Sequence, residues 1–322
     1  MSAARRDLGD TGLQVHPLCL GGNVFGWTAD EDASFAVLDA YAEGGGNFLD
    51  TANAYSSWAP GNRGGESETI IGRWLRSRGV RSQMVVATKV GAALDGSGQP
   101  GGLRPDLLRA GLDASRERLG VERVDLYYAH YDDPDTPLDE TLGGFDDLVR
   151  EGAVSAIGAS NHEAARLDAA LRLSRERGWA RYAVLQTAYN LMDRAGYESE
   201  LEGLGQEEGL GVATYFALAR GFLSGKYRPG QPLPGSARAQ GVAASYLNDR
   251  GARVLEALDT VAGGHGATPA QVSLAWLMAR PSVTAPIASA TSAEQVRELL
   301  GAAELSLSPA DVELFEEASG GS

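Results

Sequence analysis

Four side chains spread over the first 130 residues could together move a proton: Asp50, Tyr55, Lys89 and His130. Asp50 stops the apolar pair Phe48-Leu49 in NFLDTANAYSSW (residues 47–58), and Tyr55 stands five residues on, in a polar stretch too irregular for a helix. Lys89 closes an apolar run that begins at Met84, and His130 closes one that begins at Val124. A phenol has an ordinary pKa near 10, too high for an efficient acid at neutral pH. A neighbouring ammonium favours the phenolate and lowers that value. A carboxylate beside the lysine keeps it charged and fixed, and a histidine can hydrogen-bond a carbonyl and orient it. The set suits protonation of a carbonyl oxygen while hydride reaches its carbon, with Asp50 supporting Lys89 and Lys89 activating Tyr55. Singly, each has a plainer use: a turn or cap for Asp50, a snorkelling barrel residue for Lys89, a satisfied core histidine, a packed loop aromatic. Their coincidence at the ends of apolar runs is what argues for chemistry.

Such residues must be held at strand ends, and the chain supplies the strands. Short runs rich in Val, Ile, Leu and Tyr are expected at Pro17–Gly21, Asn47–Asp50, Met84–Lys89, Val124–His130, Val154–Ser160, Ala183–Gln186, Gly211–Tyr215 and Val283–Ser289. Helical spacing separates them, as in Leu107, Leu108, Gly111, Leu112, Ser115 and Leu119, and again in Val254, Leu255, Leu258, Val261 and Ala262. Thr268-Pro269-Ala270-Gln271 has the capping-box form with proline at the first helical position, and Ser308-Pro309 repeats the cap and proline. Strand, loop and helix repeated eight times predicts an α/β (β/α)8 TIM barrel as a single domain over residues 1–322. An open doubly wound sheet is the alternative, but no G-x-G-x-x-G follows the first strand. One connection is oversized: nearly seventy residues lie between Tyr215 and Val283, a long loop after the seventh strand that reads as functional.

Every expected strand ends on a group that can hydrogen-bond or titrate. After Asp50, Lys89 and His130 come Ser160-Asn161, Gln186, Tyr215 and Ser289. In a barrel of this kind the active site is built where strands end and βα-loops begin.

A formal net charge of −15 argues against nucleic acid or an anionic membrane as partner, and any anionic ligand needs a local positive site. Cys19, the only cysteine, lies in an apolar run, so a reducing compartment and a small core residue are expected. No signal peptide and no apolar run of the eighteen or so residues that span a bilayer is visible, which points to the cytoplasm. The four histidines show no metal-ligand spacing.

The segments FLDTANAY with GGESETIIGRWL, VVATKVG, VDLYYAH, AIGASNH, LQTAYNLMDR, LARGFLSGKY and PIASATSAEQV, running from residue 48 to 296, resemble the aldo-keto reductase family. The long GFLSGKY region is similar to its bacterial branches and to potassium-channel β-subunits. The opening LGDTGLQVHPLCLGG resembles the family's N-terminal β-hairpin, which closes the barrel bottom. The resemblance implies a catalytic tetrad of Asp50, Tyr55, Lys89 and His130 with Tyr55 as general acid–base. It implies that Ser160, Asn161 and Gln186 hold a nicotinamide carboxamide, with Asp50 beside it, while Tyr215 stacks on the ring. Ala217, Leu218, Gly221 and Lys226 would cover the pyrophosphate, Arg238 would reach the adenosine side, and Ser289, Thr291, Gln295 and Glu298 would meet the adenosine end. Ser292-Ala-Glu-Gln295 also reads as a capping box, and the two uses are compatible.

Several positions depart from the family's pattern. Thr291 stands where many relatives place an Arg for the 2′-phosphate, Leu299 replaces a common Asn, and Phe216-Ala217 replaces a frequent Ser-Pro. NADP(H) is favoured as cofactor, with NAD(H) or dual use behind it. Trp27, Trp58 and Tyr131 are candidates to wall the substrate site, surface packing being the alternative for the two tryptophans. The expected activity interconverts aldehydes or ketones and alcohols on a small molecule. A cofactor-binding regulatory subunit with slow or no turnover is the alternative. Substrate, direction and oligomeric state stay open.

Overall fold

A computed structural model of the chain describes residues 3–235 and 239–320. Two short strands, β1 (Arg6–Asp7) and β2 (Gln14–Val15), pair antiparallel as a hairpin. Eight parallel strands then close into a barrel: β3 (Cys19–Gly21), β4 (Phe48–Asp50), β5 (Val85–Val90), β6 (Val124–Ala129), β7 (Val154–Ser160), β8 (Tyr182–Ala188), β9 (Gly211–Tyr215) and β10 (Ala285–Ala288), with β10 pairing both β9 and β3. Outside it run α1 (Glu31–Glu43), α2 (Glu66–Arg78), α3 (Pro105–Leu119), α4 (Leu138–Arg150), α5 (Ala164–Arg177) and α6 (Glu202–Glu207). The long excursion after β9 carries a 3-10 turn at Ala219–Ser224, α7 (Ala239–Tyr246) and α8 (Asp249–His265), and α9 (Pro269–Met278) then leads back to β10. After β10 come α10 (Ala293–Leu300) and α11 (Pro309–Ser319). Among the described residues no helix is long and apolar enough to cross a membrane.

Alternation along each strand positions the site. Successive side chains of a strand point to opposite faces. One buried cluster joins Cys19, Phe48, Val85, Ala87, Leu126, Tyr128, Ala156, Val184, Ala213, Ala285 and Ile287, the barrel interior. Their neighbours Leu20, Leu49, Val86, Tyr127, Ile157, Leu185 and Val212 belong to a second cluster shared with the helices. Counting by twos from the inner set brings Asp50, Lys89, His130, Gln186, Tyr215 and Ser289 to the inward face at the C-terminal rim. Ser160 joins them in β7, where the pairing with β8 shifts register between Ile157 and Gly158.

Leu8 and Val15 of the hairpin belong to the interior cluster, so the hairpin plugs the barrel's opposite end. Gly9 lies so near the strand starts that a Cβ on it would sit 2.6 Å from the Gly211 backbone nitrogen, and its φ of +58° also calls for glycine. The expected strands all form; Val154–Ser160 and Gly211–Tyr215 keep the expected bounds, and the others differ by one or two residues at one end or both. β6 stops at Ala129 with His130 just beyond, β10 stops at Ala288 with Ser289 just beyond, and β5 and β8 continue past Lys89 and Gln186.

The helix-start signals have the expected cause. Thr268 and Gln271 make a reciprocal capping box at α9, and Ser308 and Asp311 do so at α11. At α10 half of the expected box forms. Ser292 accepts from the Gln295 N–H, but the Gln295 side chain accepts from Thr291 N at 2.9 Å rather than from the cap. Three-residue spacing identifies a box without fixing which N–H the glutamine selects.

Candidate active site

The rim residues surround a cleft of about 1250 Å³ at the C-terminal end of the barrel. Its floor is a hydrogen-bonded triad. Lys89 Nζ donates to Asp50 Oδ2 at 2.7 Å, to the Thr51 carbonyl at 2.9 Å and to the Tyr55 hydroxyl at 2.7 Å. Three donors meeting three acceptors is the full complement of an ammonium. The Tyr55 hydroxyl also donates to Asp50 Oδ2 at 3.0 Å, and Gln186 Nε2 donates to Asp50 Oδ1 at 2.8 Å. Asp50 and Lys89 are fully buried, where an unpaired charge would cost several kcal/mol. Each charge is therefore the condition for the other.

Burial, with the Asp50 carboxylate adding to it, pushes the Tyr55 phenol well above its ordinary value. Loss of solvent and the Asp50 carboxylate set the resting direction of the phenol, with the Lys89 ammonium 2.7 Å from its oxygen. Tyr55 is thereby held protonated, its O–H donating to the Asp50 carboxylate. Burial also pulls Lys89 down, opposed by Asp50. His130 is held well below the usual imidazole range by burial and then by the Lys89 charge, so its ring is neutral. It packs edge-on to Tyr55, stacks on Tyr131 at 5.0 Å, and leaves Nδ1 buried without a hydrogen-bond partner.

The other expected residues line the same cleft, from Ser160, Asn161, Gln186 and Tyr215 through Ala217, Leu218, Gly221 and Lys226 to Ser289, Thr291, Gln295 and Glu298. Lys89 is beneath the surface they form, and Arg238 lies outside the described residues. Asn161 takes a positive φ of 54°; its amide nitrogen donates to the His130 carbonyl at 2.8 Å, and its oxygen accepts from the Tyr215 hydroxyl at 2.7 Å. Asparagine tolerates that conformation better than most residues. Glu298 accepts from Thr268 at 2.7 Å, which ties the first residues of α9 to α10.

Trp27 and Trp58 both line the cleft rather than packing only on the surface, and meet edge-to-face at 5.6 Å; Trp58 meets Tyr55 at 6.2 Å. Sequence reasoning missed Asn23, Val24, Phe216, Arg220 and Val242, which share the lining. Asn23 accepts from Ser289 Oγ at 2.6 Å. Asn23, Phe216 and Arg220 lie in the loops within five residues of strand ends, and the rule that βα-loops carry function could have found them. Val242 reaches the cleft from α7, and nothing local marks it.

Chemically, the floor can deliver one proton to an acceptor above Tyr55 and stabilise the phenolate left behind. The walls offer hydroxyls and amides at one end, cations along the strap after β9 and a helix start at the other. The model of the aldo/keto reductase family matches residues 17–319. The chain is 35% identical over 305 residues to the uncharacterized oxidoreductase YrpG of Bacillus subtilis (strain 168), spanning 93% of this chain and 91% of that protein. It is 32% identical to a probable voltage-gated potassium channel subunit beta of Oryza sativa subsp. japonica, over 93% of this chain and 91% of that one. Identity to the L-glyceraldehyde 3-phosphate reductase of Escherichia coli (strain K12) is 31%, over 91% and 85%.

Proposed function

The chain belongs to the aldo/keto reductase family of oxidoreductases, and from that premise we propose that it reduces aldehydes or ketones with NADP(H), Tyr55 serving as general acid and, in reverse, as general base. The observation that carries this reading is the buried chain Asp50–Lys89–Tyr55 opening on the cleft, with both Lys89 links at 2.7 Å.

The residues present fit a nicotinamide dinucleotide. Ser160, Asn161 and Gln186 offer hydroxyl and amide groups suited to a carboxamide, and the Tyr215 ring offers a stacking face. Ala217, Leu218, Gly221 and Lys226 follow in chain order as a strap suited to a diphosphate. Ser289, Thr291, Gln295 and Glu298 gather around the first turns of α10, where helix N–H groups attract phosphate. When bound, the nicotinamide supplies the hydride. Tyr55 then turns its O–H from Asp50 to the carbonyl oxygen. Lys89 stabilises the phenolate that forms, Asp50 keeps Lys89 charged, and neutral His130 orients the carbonyl. Trp27, Trp58 and Tyr131 keep water from the reacting end. NADP is preferred over NAD because the basic residues that follow β9 in the sequence, Lys226 and Arg238, suit the extra phosphate in an otherwise acidic chain.

Replacing Tyr55 by Phe removes the proton donor alone. NADPH-dependent reduction should fall by at least about a hundredfold, while NADPH binding followed by fluorescence persists. A rate near that of the unchanged protein overturns the assignment. The similarity to a channel subunit beta favours a second reading, a regulatory subunit with slow chemistry; steady turnover of small aldehydes by the purified protein would remove it.

A further inference from the structure

The strap after β9 holds a cation that the cofactor contacts above do not use. Phe216, Ala219 and Arg220 take positive φ values of 54°, 46° and 57°. Each is a strained conformation for a residue with a side chain, and such strain persists only where the surrounding structure holds it, commonly at ligand-binding sites. The result is an aromatic ring and a guanidinium facing each other at the cleft wall: Arg220 lies 4.7 Å from the Phe216 ring centroid, and both line the cleft. Phe216 keeps 39% of its surface exposed. Among the described residues Arg220 forms no ion pair, whereas Arg228 of the same strap meets Asp259 through two hydrogen bonds at 2.6 and 2.8 Å.

Arg220 follows Tyr215 by five residues and lines the same cleft. Its charge is felt at the Tyr215 hydroxyl, where it opposes the rise that burial causes. That hydroxyl donates to Asn161, whose amide holds the His130 carbonyl. Tyr131 acts on both Tyr55 and Tyr215 and stacks on His130 at 5.0 Å. Lys226 is a second cation on the same strap, with its ammonium against Gly221, the residue next to Arg220. A planar guanidinium already stacked on a ring retains its fork of donors for a carboxylate or phosphate.

Resting on the reductase reading above, we propose that Arg220 is a specificity residue that takes the carboxylate or phosphate of an acidic carbonyl substrate, whose aromatic or conjugated body lies along Phe216. The test compares 4-formylbenzoate with its uncharged methyl ester, using NADPH, in the unchanged protein, Arg220→Gln and Arg220→Lys. The acid should be preferred in kcat/KM by about tenfold, mainly through KM. Arg220→Gln should bring the ratio near one, and Arg220→Lys should restore part of it, since lysine lacks the planar fork. An unchanged protein that prefers the ester, or a ratio untouched by Arg220→Gln, overturns the proposal. So does a loss of NADPH affinity with the ratio unchanged, which would assign Arg220 to the cofactor's phosphates. If no carbonyl is reduced, the reductase reading fails separately. Calorimetric titration of terephthalate into the NADP+-loaded protein then decides, and equal affinity for the unchanged protein and Arg220→Gln overturns the anion site.

Discussion

In the reductase reading proposed above, Tyr55 carries two opposed demands: it must hold a proton at rest and release it to a carbonyl oxygen. Burial and Asp50 hold the proton on, by pushing the phenol up. Lys89 at 2.7 Å makes release affordable once charge develops on the substrate. The sign of the pH dependence follows. Reduction needs the protonated phenol, which is present below its raised pKa and lost only as pH climbs through it. Reduction should therefore stay flat between about pH 6 and 9. Alcohol oxidation needs the phenolate, so its rate should rise with pH over the same interval. His130 titrates well below 6.5 and should add no break near that value. Initial rates in both directions across that interval check this, and an oxidation rate that falls toward alkaline pH contradicts it. The identities of Asp50, Lys89 and His130 were legible because polar residues closing apolar runs are conspicuous. The direction of the Tyr55 shift was not, since desolvation exists only once the barrel and its loops have packed around the phenol.

Between β2 and β3, His16 joins the hairpin to the barrel. Its backbone N–H donates to Asn47 at 2.8 Å, its Nδ1 accepts from Leu18 N at 3.0 Å, and its ring meets Tyr41 edge-on. Burial pulls the imidazole down to about 4, with Arg5 and Arg6 adding to burial and the Leu18 carbonyl opposing it. A folded pKa below the unfolded one means that the unfolded chain binds more protons between the two values. Stability is thus intact above about pH 6.5 and is lost as pH falls toward 4, by roughly 2–3 kcal/mol from this group. His16→Asn keeps an acceptor for Leu18 and removes the titration. Urea midpoints at neutral pH and near pH 4.5 should show a smaller drop for the variant; equal drops would end this account. Nothing in the local sequence marked His16 as a junction, because only Leu18 is near it in sequence, while Asn47 precedes β4 and Tyr41 lies on α1. Caps were legible where cap and partner are three residues apart, as at Thr268 and Ser308. The strained turn at 216–220 was hidden, since Phe216, Ala219 and Arg220 are not residues that announce a positive φ.

The barrel separates stability from chemistry along its axis. Its C-terminal rim spends buried charge and strained backbone on a cleft, while the other end is sealed by Leu8 and Val15 against the interior cluster. Eight strand–helix units made the barrel legible, because parallel strands with helical crossovers have few ways to close. The hairpin's sealing role was implied by the family resemblance; two-residue strands carry no usable alternation of their own. Leu8 is fully buried among side chains of the barrel floor, with Gly9 pressed against Gly211. Leu8→Ala should leave a void that the close backbone contacts cannot collapse, costing about 2–4 kcal/mol. Inward layers such as Phe48, Val85 and Leu126 stand between this floor and the Asp50–Lys89–Tyr55 floor of the cleft. Sites so separated, with no shared partner, behave independently. The variant's urea midpoint should therefore fall while its kcat, measured well below the transition, stays within about twofold of the unchanged protein. A folded Leu8→Ala protein with strongly reduced kcat would mean that the plug sets strand positions at the rim, and that the two ends of the barrel work as one mechanical unit.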